Sequence, residues 1–150
     1  MSDAALMVLK NNLKSFSSSL VWLRRSYDAC KGIGIKDSYT PEEFDSFENL
    51  TSRYARTTDL LAGKLLRSID AVELINSGSI IDAAHGAEKR GIIESVSELR
   101  DLKDLRNEIA HEYETEDLSA FFCEVLNAAG RLFAIADRAL KYCEKYRVED

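Results

Sequence analysis

The sequence predicts an all-α protein, an up-and-down antiparallel bundle of four long helices plus one short helix. Three observations carry this. Apolar residues recur in steps of three and four along most of the chain, the period of a helix with one buried face. The 150 residues include one Pro and seven Gly, too few for the many turns of a β sandwich or barrel. Hydrophobic residues make up 45% against 31% charged, enough for one core beneath a solvated surface. Residues 1–150 read as a single domain, with no internal repeat or low-complexity segment.

Helix one runs from about residue 4 to 30, where Leu6, Leu9, Leu13, Phe16, Leu20, Leu23, Tyr27 and Cys30 form an unbroken stripe. Gly32 and Gly34 end it. The stretch from Lys31 to Lys36 reads as a linker, because it lacks the third Gly and the preceding strand of a phosphate loop. Thr40-Pro41-Glu42-Glu43 opens helix two: Thr40 caps, Pro41 suits the first turn and Glu43 completes a capping box. That helix carries Phe44, Phe47, Leu50, Tyr54, Leu61, Leu65, Ile69 and Val72, and fades at Asn76-Ser77-Gly78. A short helix over about 79–90 turns Ile80, Ile81, Ala84 and Ala87 inward, and Gly91 closes it. Helix four starts near Ile92, buries Val96, Leu99, Leu102, Leu105 and Ile109, and gives way around His111–Glu114. Thr115 offers the next cap, and the last helix carries Leu118, Phe122, Val125, Ala129, Leu132, Ala136, Ala139 and Cys143. Short links make successive helices antiparallel neighbours.

The 20 Lys and Arg against 26 Asp and Glu leave a net charge of −6, which argues against a dedicated DNA binder or a membrane-surface protein. Transient contact with RNA stays open, because a local patch can be basic on an acidic protein. Three cysteines without a CxxC pair predict reduced thiols and a cytoplasmic setting, with Cys30 and Cys143 in the core. The N-terminus has no signal-peptide pattern, and no uninterrupted run approaches the roughly 18 apolar residues of a membrane span. His85 reads as a surface group. Trp22 lies off the main stripe, facing either a dimer partner or the short helix.

Most site chemistries find no residues to carry them. His111-Glu112-Tyr113-Glu114-Thr115 lacks the second His of a zinc protease helix, and Glu108 with His111 makes one Glu-x-x-His pair where a di-iron bundle needs two. There is no Walker motif, nucleophile elbow or dinucleotide fingerprint, and no cofactor is expected. What stands out is Arg106-Asn107-Glu108-Ile109-Ala110-His111-Glu112-Tyr113. Asn107 and His111 share a helix face, four apart. Arg106 and His111 lie about 140° apart around the axis, a gap that a long Arg can wrap. One helix end thus presents a permanent cation, a group titrating near neutrality, an amide and a phenol. Those groups suit RNA cleavage without a metal: imidazole takes the ribose 2′-OH proton, imidazolium protonates the leaving 5′-oxygen, and guanidinium holds the phosphate. One chain supplies one such imidazole, and a two-fold dimer would supply two. The plainer alternative is a His at a helix C-terminus, with Arg106 paired to Asp101, Asp104 or Glu108.

At these residues the sequence resembles the HEPN superfamily, marked by R-x4–6-H on a late helix of an up-and-down bundle. Arg106, Asn107 and His111 match R-N-x3-H, and Tyr113 extends the match to R-x4-H-x-Y, the form of HepT-like toxins from HEPN/MNT toxin–antitoxin pairs. The resemblance covers essentially the whole chain. It implies a homodimer whose motifs face a shared cleft, acting as a metal-independent endoribonuclease that slows growth. Arg106 and His111 would be the catalytic pair, with Asn107 in support. It further implies a small nucleotidyltransferase antitoxin that adds AMP to Tyr113, placing phosphate charge beside the site. Glu108, Glu112, Glu114 and Glu116 crowd the motif with charge that repels RNA, and Arg24, Arg25, Arg100 or Lys103 would have to offset it. The alternative in the same family is a non-catalytic module that binds a nucleotidyltransferase or its nucleotide. A third reading is a purely structural helical adaptor.

Overall fold

The computed structural model describes residues 2–109 and 117–146. Its helices are α1 (Asp3–Ile33), α2 (Pro41–Leu60), a π turn (Leu61–Leu65), α3 (Leu66–Val72), α4 (Ile80–Lys89), α5 (Val96–Ile109) and α6 (Leu118–Cys143), with a 3₁₀ turn over Glu144–Tyr146. The α2–π–α3 run is one continuous rod, so the architecture is the antiparallel bundle of four long helices and one short helix. No strand occurs among the described residues.

Helix ends follow local chemistry. Ser2 caps α1, and the Thr40 hydroxyl and Glu43 carboxylate satisfy each other's backbone N–H groups at the start of α2. Helix α4 ends in a Schellman motif: the Ile92 N–H donates to the Ala87 carbonyl, the Gly91 N–H to the Glu88 carbonyl, and Gly91 takes φ 76°. The same motif ends α3, but there Leu74 occupies the left-handed position at φ 62°.

Helix four starts four residues later than the apolar pattern suggested. Ile92 and Ile93 are buried as plugs in the link after Gly91. Ser95 then caps α5 by accepting from the Glu98 N–H at 3.2 Å. A Ser-x-x-Glu signature marks that start. At the next helix the cap is Asp117, which accepts from the Ala120 N–H at 3.0 Å. The cap expected at Thr115, and the fading of helix four at 111–114, lie outside the described residues. Ile81, expected inward, is 52% exposed, and Ala83 takes its place in the core.

The core runs the length of the rod. Leu9, Leu13, Phe16, Leu23 and Cys30 of α1 meet Leu50, Tyr54, Leu61, Leu65 and Ile69, with α6 closing the other side through Phe122, Val125, Leu132 and Ala136. The α1–α2 seam also holds small polar groups: the Ser19 and Thr57 hydroxyls bond at 2.6 Å, and Arg53 donates to Ser26 at 2.7 Å. Phe47 stacks on Phe122 at 4.5 Å between ring centres, within a cluster that includes Tyr39 and Phe44. This cluster fixes the start of α6. The Leu118–Tyr146 segment is long and apolar enough to cross a membrane by composition, with mean hydropathy 1.4. Its apolar side, however, is the one packed into this core.

At the far end, a polar network ties α3, α4 and α6 together. Asp70, 1% exposed, meets Arg90 at 2.7 Å, an ion pair at angles outside hydrogen-bond geometry. Arg90 also donates to Glu73 at 3.1 Å, and Glu73 accepts from the Tyr142 and Tyr146 hydroxyls. Gly86 makes room for this: a Cβ there would sit 2.8 Å from Arg90 Nη1 and 3.0 Å from Asp70 Oδ1.

Candidate functional site

Helix α5 carries Arg106 in its last described turn. Leu99, Leu102 and Leu105 bury one face, and Arg106 lies at the edge of that same face, one turn after Leu102, so the packing turns it toward α2. A second tie adds to this. The buried Tyr54 hydroxyl donates to the Leu102 carbonyl at 2.8 Å. Leu102 lies one turn before Arg106, so α2 grips α5 at the level of the site.

Arg106 does not pair with Asp101, Asp104 or Glu108. It reaches across to Asp59 on α2, with Nε donating to Oδ1 at 2.8 Å and Nη2 to Oδ2 at 2.9 Å. This side-on fork holds the guanidinium above its ordinary pKa, through the hydrogen bonds first and the charge second. Nη1 makes no hydrogen bond to the described residues. The pair is semi-exposed, at 32% for Arg106 and 43% for Asp59.

Arg106 and Asp59 line an open cavity of about 620 Å³ with Thr51, Ser52, Arg56, Lys64 and Ile109. Arg56 and Lys64 make no ion pair among the described residues. They share this face for a geometric reason. Eight residues of regular helix would rotate Lys64 about 80° past Arg56. The wider π turn takes back part of that rotation.

The four cations suggested to offset acidic charge sort differently. Lys103 reaches Asp59 at 3.8 Å. Arg24 lies 3.7 Å over the Phe133 ring, Arg25 is 5.9 Å from Trp22, and Arg100 lines the α4–α5 groove. Sequence reasoning missed Asp59, Arg56 and Lys64, which sit 42 to 50 positions before Arg106. The i, i+4, i+8 spacing of Arg56, Leu60 and Lys64 was the available signal.

Asn107 is exposed on α5 beside Arg106, and Glu108 is exposed and outside the cavity lining. His111 and Tyr113, with Glu112, Glu114 and Glu116, lie outside the described residues, two to seven positions beyond Ile109 in sequence. Among the described residues, no three His, Cys, Asp or Glu side chains gather as metal ligands. His85 is exposed on α4, and Cys30 and Cys143 are buried. Trp22 is 51% exposed.

No family model matches this sequence, and no curated protein or solved structure matches it.

Proposed function

We propose that this protein is a metal-independent endoribonuclease toxin of the HepT-like kind. In this reading it works as a cytoplasmic homodimer restrained by a nucleotidyltransferase antitoxin that AMPylates Tyr113. The observation that carries the reading is Arg106, clamped by Asp59 on one edge, in an open cavity shared with Arg56 and Lys64. An oriented guanidinium suits a phosphodiester, and its neighbours add positive charge on an otherwise acidic chain.

In this chemistry His111 of one protomer takes the proton from a ribose 2′-OH. The 2′-oxygen attacks the adjacent phosphorus, the bond to the 5′-oxygen breaks, and His111 of the second protomer protonates that leaving oxygen. A 2′,3′-cyclic phosphate remains. Arg106 binds the phosphate oxygens as their charge rises, and Asn107 supports the same end of the helix. An AMP group on Tyr113 would put negative charge where the substrate phosphate belongs.

The test is RNA cleavage by purified protein in EDTA. Wild type yields cyclic phosphate ends, and Arg106→Ala or His111→Ala lowers the rate about 100-fold or more. Wild type that cuts nothing, or His111→Ala cutting at the wild-type rate, overturns the reading. The non-catalytic module remains the second reading, and the Asp59 carboxylate against Arg106 is what favours it. Tight binding to a nucleotidyltransferase without RNA cleavage or growth arrest would decide for that module.

A further inference from the structure

The cavity at Arg106 does not end at Arg56. A second cavity of about 510 Å³ lies between α1 and α2, and Arg56 and Leu60 line both. Lys14, Ser15, Ser18 and Trp22 form its α1 side. Lys14, Arg56 and Lys64 are exposed and make no ion pair among the described residues, and among the described residues Asp59 is the one carboxylate lining either cavity. A chain of net charge −6 has gathered several cations along one concave path.

Trp22 stands at the α1 end of that path, half-exposed. The Arg53 guanidinium lies 5.2 Å from its ring centre and that of Arg25 5.9 Å. Such contacts steady an indole, and about half of the Trp22 surface stays accessible. A planar exposed ring, flanking cations and hydroxyl-bearing walls are the parts of a single-strand nucleic-acid track, where bases stack and phosphates follow the charge. A flat anionic bilayer would not follow a concave groove of this kind.

Resting on the nuclease reading for its substrate class, we infer that the joined groove holds the strand of single-stranded RNA flanking the scissile phosphate. Lys14, Arg56 and Lys64 contact successive phosphates, and Trp22 stacks on an unpaired base. The groove thereby selects single strands over duplex, because only an unstacked base can lie on Trp22.

Trp22 is the only tryptophan in the chain, so its emission reports on this site alone. The experiment titrates the full-length protein with a 2′-O-methyl oligouridylate, which binds as single strand but has no 2′-OH to react. An abasic oligomer of equal length and vesicles of anionic phospholipid serve as the other arms. Saturable quenching by the oligouridylate is expected, with binding but little quenching by the abasic strand. Arg56→Gln and Lys64→Gln should each weaken binding several-fold and lower the salt slope by about one. Trp22→Leu should weaken it about tenfold, read by anisotropy of a labelled strand. All three residues are exposed, so the fold should survive each change. Absence of quenching, equal affinity of Arg56→Gln and Lys64→Gln with wild type, or quenching by vesicles alone overturns the groove. A strand that binds here while no RNA is cut removes the nuclease reading and leaves the groove standing. RNA cutting that is indifferent to all three substitutions does the reverse.

Discussion

Asp59 holds Arg106 by its Nε–Nη2 edge, at 2.8 and 2.9 Å, across the gap between two helices 47 positions apart in sequence. The pair is too exposed to matter much for folding, where such bridges contribute a few tenths to about 1 kcal/mol. In the proposed nuclease its role is to aim the guanidinium at a phosphate. Asp59→Asn should therefore lower kcat for RNA cleavage about tenfold, with KM and the urea midpoint nearly unchanged. A shift of the midpoint with no change in kcat would assign the pair to stability instead.

Gly86→Ala should destabilise, although Ala is the better helix former. The propensity gain is about 1 kcal/mol. Against it, the new Cβ falls 2.8 Å from Arg90 Nη1 and 3.0 Å from Asp70 Oδ1, and Asp70 is buried with nowhere to move. Disturbing a buried ion pair costs about 3 kcal/mol or more, which leaves a net loss of about 2 kcal/mol. Urea denaturation measures it, and a stabilised variant would show that Arg90 swings clear at little cost.

Burial alone would raise the Glu73 carboxyl, but the Tyr142 and Tyr146 hydroxyls and Arg90 outweigh it and hold the group below its ordinary 4.5. A carboxyl lowered by folding stabilises the native state above its unfolded pKa, and that contribution fades as pH falls through the folded value. Wild type should thus exceed Glu73→Gln by about 1–2 kcal/mol at neutral pH, with the gap closing below pH about 4.5. Chemical denaturation from pH 7 down to pH 3 tests this, and a gap independent of pH would contradict it.

Leu74→Gly should stabilise the protein. Leu74 takes φ 62° in the position where glycine is usual, and its side chain is 77% exposed, so little burial is lost. Relief of the left-handed backbone is worth up to about 1 kcal/mol. Thermal unfolding should show a rise of a few degrees, and a fall would mean that Leu74 packs against something in solution.

The helices were legible because burial on one face writes a period into the sequence: the stripe from Leu9 to Cys30 and the Thr40–Glu43 box needed no further information. Ile92 misled because an apolar residue plugging a link reads the same as one on a helix. The candidate site was half legible. Arg106 and Asn107 announce themselves by their spacing to His111 in the sequence. Asp59, Arg56 and Lys64 do not, since their nearness to Arg106 arises only when α2 packs on α5. The π turn is invisible too, because four- and five-residue turns both tolerate Leu61, Ala62, Gly63, Lys64 and Leu65.

That π turn takes up one extra residue in the long rod, like a slack loop in a rope, with the two segments still in register. Trimming a single residue, Gly63 for instance, would give a more regular helix. It would leave Ile69, Asp70 and Val72 facing nearly the same way, because five residues of a π turn cover about the rotation of four in an α-helix. The rod thus holds one residue more than a regular helix would need while keeping its second segment buried.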